Sequence, residues 1–93
     1  MAERDAGARL LEAGSSHLYP GARLRVEAPS AGDCLVAFAD GARAGGRLAA
    51  LDAGGWRLDL GTYRTARGRA IGPKAWRLAA AEGGGLRVTA RLD

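Results

Sequence analysis

Apolar and polar residues alternate with a period of two along much of this chain, and glycine-rich breaks separate the alternating runs. In 86–92, Leu86, Val88, Ala90 and Leu92 fall on one side, and Arg87, Thr89 and Arg91 on the other. That spacing is the signature of a half-buried β-strand. Residues 56–60 and 24–28 alternate in the same way, while Cys34–Ala39 is continuously apolar and ends at the turn dipeptide Asp40-Gly41. The latter predicts the most buried strand, followed by a hairpin. Asp52–Gly55 and Gly83–Gly85 mark two more hairpin loops, because glycine reaches positive φ at little steric cost.

The pattern predicts strands at 23–28, 34–39, 47–51, 56–63, 75–81 and 86–92. The implied fold is all-β, a small antiparallel meander of five to six strands closing into a small, partly open barrel, since closure removes exposed edges. Ala2–Ala13 is the one helical candidate, but Gly7 interrupts it and its apolar face reduces to Leu10 and Leu11. The predicted organisation is therefore a flexible or short helical segment over 1–18 and a single barrel domain over 19–93. Turn spacing and length are similar to those of small SH3-like barrels, an analogy of architecture that carries no function and no residue assignment.

Parity sets a register for the final hairpin. A three-residue loop at Gly83–Gly85 places Ala80 opposite Val88, Leu78 opposite Ala90 and Trp76 opposite Leu92, with Trp76 in the core. The same register puts Arg77 opposite Arg91 on the outer face, where the two would repel unless they splay into solvent or an anion bridges them.

Charge then changes the picture. Residues 1–62 carry seven basic and eight acidic side chains, whereas 63–93 carry seven basic and two acidic, so the net +4 comes from the C-terminal third. A segregated basic region in a chain of pI near 10.2 attracts polyanions. Thirteen of the fourteen basic residues are Arg, and with 21 Ala and 15 Gly they are read from GC-rich codons, which makes genome composition a competing source of the arginine excess.

The segment from Leu60 to Ala81 concentrates this charge. Thr65–Gly68 and Gly72-Pro73 bracket a short extended piece, 69–71, which predicts a hairpin-like excursion lying over the barrel. Arginines beside an aromatic ring suit phosphate contact and base stacking. The candidate binding residues are Tyr63, Arg64, Arg67, Arg69, Lys74 and Arg77, joined by Arg87 and Arg91 on the last strand. An unbroken strand through Gly61 turns Tyr63 outward, and a bulge there turns it inward.

Catalytic and metal chemistries find no support. His17 and Cys34 are the only residues of their types, too few for a zinc site, and Cys34 in an apolar strand is expected to be inert. Gly68–Lys74 is one residue short of a phosphate-binding loop and contains Pro73 where a backbone donor is needed. Gly41–Gly46 joins two strands and so is no dinucleotide fingerprint. Asp33, Asp40 and Asp52 sit at turns, and Asp59 reads as a surface ion-pair partner.

The sequence therefore predicts a non-enzymatic binding module without cofactor or metal. Its expected partner is RNA or single-stranded DNA; the alternative is an acidic protein chain docked on the same loop or on an open barrel edge. No apolar run approaches the ~20 residues that span a bilayer, and no signal-peptide core is present, so a cytoplasmic location without membrane attachment is expected.

Overall fold

A computed structural model describes residues 9–93. Its nine strands are β1 Arg9–Ala13, β2 Arg23–Arg25, β3 Gly32–Ala37, β4 Arg43–Ala50, β5 Trp56–Leu60, β6 Tyr63–Arg64, β7 Ala70–Ile71, β8 Lys74–Ala80 and β9 Leu86–Arg91. Seven of them close into a barrel in the order β1-β2-β9-β8-β5-β4-β3, and β6 and β7 form a separate two-stranded sheet. There is no helix among the described residues, and so none that could cross a membrane. The all-β reading holds.

The closure is where sequence and structure differ. Consecutive β2 and β3 do not pair; β1 lies between them, antiparallel to β2 and parallel to β3. Thus the helical expectation for Ala2–Ala13 is corrected over Arg9–Ala13, and the barrel includes a strand from the segment assigned to 1–18; residues 1–8 lie outside the described residues. Leu11 and Ala13 point into the core while Leu10 and Glu12 face out. Helix-favouring composition is overridden because the gap between β2 and β3 would leave two sheet edges unpaired.

The core is built from inward positions of all seven barrel strands. Leu11, Leu24, Val36, Leu48, Leu58, Leu78, Leu86 and Val88 are the largest side chains that are fully enclosed, and no charged side chain is buried among the described residues. Close packing also uses a missing side chain. A Cβ on Gly46 would stand 2.6 Å from the Asp59 carbonyl oxygen and 3.0 Å from Leu60 Cδ2, so a glycine in β4 lets β5 approach.

Four hairpins use one turn. In each, residue X donates its N–H to the carbonyl of X+4 and accepts from the N–H of X+3, with X at Phe38, Leu51, Thr65 or Ala81. The X+3 residues are Gly41, Gly54, Gly68 and Gly84, all with φ between 87° and 103°. This is a three-residue loop in which the last position is left-handed, a conformation that costs any residue with a Cβ.

The turn corrects the register of the last hairpin. Its loop is Glu82–Gly84, so Ala80 faces Leu86 and Leu78 faces Val88. A bulge then places Arg77 opposite Ala90 and Trp76 opposite Arg91, and the Thr89 hydroxyl donates to the Arg77 carbonyl at 3.1 Å. The expected Arg77–Arg91 and Trp76–Leu92 pairs do not form. Trp76 is nonetheless in the core, 5% exposed, whereas Leu92 is 40% exposed.

Candidate polyanion-binding face

The outward residues of β2, β9, β8 and β5 lie on one continuous stretch of sheet. Arg23 is the direct cross-strand partner of Arg87, and Arg57 of Arg77. Direct partners have Cα atoms about 5 Å apart. Arg87 and Arg77 are related by one strand and two residues, a diagonal of about 7–8 Å. The four guanidinium-bearing positions therefore run as a diagonal band over three strand spacings, about 14 Å. Between them stand only the small residues Ala79, Thr89 and Ala90.

Ion pairing separates the members of this band. Arg57 turns along its own strand to Asp59, Nε to Oδ1 3.1 Å, away from the like charge opposite it. Arg25 pairs with Glu12 at 3.6 Å and Arg47 with Asp33 at 3.1 Å. Arg23, Arg77 and Arg87 have no acidic partner among the described residues. Glu27 and Glu82 line a groove beside β2 at the β8–β9 turn and mark the acidic limit of the face.

The sequence-predicted residues divide into three groups. Arg77 and Arg87 belong to the band. Arg64, Arg67 and Arg69 are exposed on the excursion, a true hairpin in which Tyr63 pairs with Ile71 and Arg64 with Ala70. This small sheet lies alongside β4. Within it, Arg64 spends one guanidinium donor on the Gly68 carbonyl at 2.7 Å and so braces the turn, while Arg67 at the tip and Arg69 point into solvent.

Tyr63, Lys74 and Arg91 form the third group. The chain leaves β5 at Leu60, and the Gly61 N–H bonds to the Gly45 carbonyl at 2.9 Å, which breaks the strand and turns Tyr63 inward. Its ring stacks on Phe38 with centroids 5.1 Å apart and planes 16° from parallel, so one face is already covered. Burial, and then the charge of Asp40, push its hydroxyl pKa above the ordinary value. Lys74 shares the inward parity of Trp76 and Leu78 and is half-buried at the barrel mouth, not carried out on the hairpin. Arg91 is held by Asp93, Nε to Oδ1 3.0 Å, and that hydrogen bond is the main cause that lowers the Asp93 carboxyl pKa.

Sequence reading missed Arg23, Arg57 and Tyr19. The two arginines occupy outward positions of strands whose alternation is plain, but their partners across the sheet come from distant sequence. Tyr19 is 43% exposed, and the turn from Tyr19 to Ala22 leads directly into β2 and Arg23. It is a better-exposed ring than Tyr63.

Among the described residues no three His, Cys, Asp or Glu side chains gather as a metal site requires. Cys34 is buried, and desolvation followed by the Asp33 charge pushes its thiol up to about 11. Comparison with family models, curated proteins and solved structures finds no match to this chain.

Proposed function

We propose that this protein is a non-enzymatic module that binds a nucleic-acid strand through the outer face of β2, β9, β8 and β5. One observation carries the reading: Arg23 is set directly against Arg87, and Arg77 against Arg57, with three of the four lacking an acidic partner among the described residues. Directly opposed like charges destabilise a sheet. A polyanion with regularly spaced phosphates removes that repulsion and gains charge-assisted hydrogen bonds from each guanidinium. Tyr19, exposed on the turn that leads into β2 and tilted against the His17 ring, supplies a ring for base stacking, and Arg67 and Arg69 on the hairpin add to the positive field.

The test is fluorescence anisotropy with labelled single-stranded RNA and DNA across a salt series. Wild-type protein binds near 50 mM salt and weakens steeply towards 200 mM, because the counterions displaced from phosphates are released less favourably into concentrated salt. Replacing Arg77 and Arg87 together by Gln makes the slope of log affinity against log salt shallower by about 1.4, which is about 0.7 for each phosphate no longer neutralised. Absence of binding to either strand near 50 mM salt rejects the reading, and binding instead to an acidic polypeptide assigns the face to protein docking.

A further inference from the structure

A groove of about 510 Å³ lies beside the end of β2, between Val26 and the turn that joins β8 to β9. It shares Arg23 with the arginine band, and its other charged side chains are Arg25, Glu27 and Glu82. Both glutamates are exposed and have no basic partner among the described residues, while Arg25 meets Glu12 only at 3.6 Å. Free carboxylates at the border of a phosphate-binding face weaken it by repulsion, unless the ligand also presents hydrogen-bond donors to them.

The main chain adds a donor to the same groove. The Gly14 N–H bonds to the Arg23 carbonyl, and Arg25 pairs with Glu12, so alternation turns the Arg25 carbonyl towards β1 as well. In a planar trans peptide the next N–H points the opposite way, which aims that of Val26 across β2 to the β9 side. The β2–β9 ladder has already ended at Leu24 and Leu86, and the Gly84 N–H beyond it is turned back to the Ala81 carbonyl. Val26 is 8% exposed, and its N–H makes no hydrogen bond among the described residues. Unpaired main-chain donors on buried residues are uncommon. This one faces the groove that Val26 lines.

From the unpaired N–H, the two free carboxylates and the continuity with Arg23, we infer that this groove reads a guanine base of the strand proposed to lie on the arginine band. The inference rests on that reading. The Watson–Crick edge of guanine presents one acceptor, O6, followed by two donors, N1–H and the N2 amine. A main-chain N–H beside a carboxylate offers the complementary order of one donor and two acceptor oxygens. Uracil ends its edge in a second acceptor, which would face a carboxylate oxygen. Adenine and cytosine place a donor where the Val26 N–H needs an acceptor. The Arg25 guanidinium suits the O6 and N7 acceptors on the other edge of guanine. Single strands leave both edges free of pairing, so one groove can address them together. A volume of about 510 Å³ falls within the ~300–1,000 Å³ of small-molecule sites.

The test is fluorescence anisotropy near 50 mM salt with labelled heptanucleotides of uridine that carry G, A, C or U at the centre. The guanine strand binds about fivefold tighter or more than the other three, the gain expected of one bidentate base contact. Inosine, which lacks the N2 amine, loses part of that margin. Glu27→Ala with Glu82→Ala removes the preference and tightens binding of the all-uridine strand, because two negative charges leave the border of the face. A purely electrostatic role would shift all four strands alike. Both glutamates are exposed, so the melting temperature of that variant stays near wild type. Independently of any strand, GMP moves the backbone ¹⁵N–¹H signal of Val26 in a saturable manner, and UMP at the same concentration leaves it in place. Tighter binding of the guanine strand than of GMP supports a base held within a strand, and equal affinity overturns that assignment in favour of a free nucleotide. Equal binding of the four strands, a preference that survives in the double variant, or a Val26 signal unmoved by excess GMP overturns the guanine site and leaves the arginine face standing. Failure of every strand to bind rejects the arginine face, and the GMP titration still decides the groove.

Discussion

Trp76 concentrates two opposing effects at a single residue. Its ring is core, packed with Leu58, Leu60 and Leu78 as neighbours in one buried cluster, and its N–H is a buried donor without an acceptor, which costs about 1–3 kcal/mol. Truncation and conservative replacement should therefore behave very differently. Trp76→Ala is expected to cost about 3–5 kcal/mol in a urea melt, enough to unfold a marginal small domain. Trp76→Phe loses part of the packing but also removes the orphan donor, so its loss should be below about 2 kcal/mol. Equal losses for the two variants would mean that an aromatic ring at this position contributes no packing energy. Cys34 makes a simpler test. A thiol that is buried and held near 11 has very little thiolate at pH 8, so iodoacetamide should label it far more slowly than a free thiol until denaturant is added.

Strand elements depend on glycines that differ sharply in what surrounds them. Gly45 and Gly46 are adjacent in β4, yet a Cβ at Gly45 meets nothing within 4 Å, whereas one at Gly46 would overlap the Asp59 carbonyl at 2.6 Å. Gly45→Ala should leave stability nearly unchanged, and Gly46→Ala should cost about 1–3 kcal/mol by forcing β5 away from β4. Thermal melts of the two variants compare them directly. The β2–β9 pair offers a charge test of the same kind. Replacing Arg87 by Glu converts a repulsive cross-strand pair with Arg23 into an attractive one. The variant should melt slightly higher, by a few tenths of a kcal/mol to about 1 kcal/mol, while its affinity for RNA falls. A variant that is stabilised and still binds RNA as wild type does would remove Arg87 from the proposed binding face.

At the scale of the whole molecule, the titrating groups with displaced pKa values set how stability varies with pH. Cys34 rises from 9.0 to about 11, and Tyr63 rises above 10.0, chiefly through burial in both cases. Both groups are neutral when protonated, so above the unfolded pKa values the native state binds more protons than the unfolded chain. Stability is then full below about pH 9 and declines as pH rises through the range of these two groups. Asp93 acts in the opposite direction: its lowered pKa contributes stability at neutral pH that is lost on acidification, and its exposure keeps that contribution small. Denaturant midpoints measured from about pH 4 to about pH 11 should give a plateau near neutrality and a marked fall on the alkaline side. Cys34→Ala together with Tyr63→Phe should flatten that fall.

Local chemistry carried much of this architecture in legible form. Alternation in 86–92 and 56–60 marked strands whose inward residues form the core, because side chains on a strand must alternate between faces. Asp40-Gly41 and the glycine run after Glu82 marked turns, because left-handed backbone selects glycine. Arg67 and Arg69 were placed on a hairpin because Thr65–Gly68 has the residues such a loop requires. Tertiary structure decided the rest. Arg9–Ala13 became a strand because the barrel had a gap to fill, which helix-like composition could not reveal. The Arg23–Arg87 and Arg57–Arg77 pairs depend on strand order, a long-range outcome of closure, while the Glu82–Gly84 turn and the bulge at Arg77 together moved Arg91 and Leu92 out of their expected positions. Lys74 and Tyr63 turned inward because the chain had to leave β5 and re-enter at β8 across the barrel mouth. Hydrophobic period and turn residues act within a few positions of one another, whereas partner choice, bulges and the grouping of charges follow from how all the strands share one closed core.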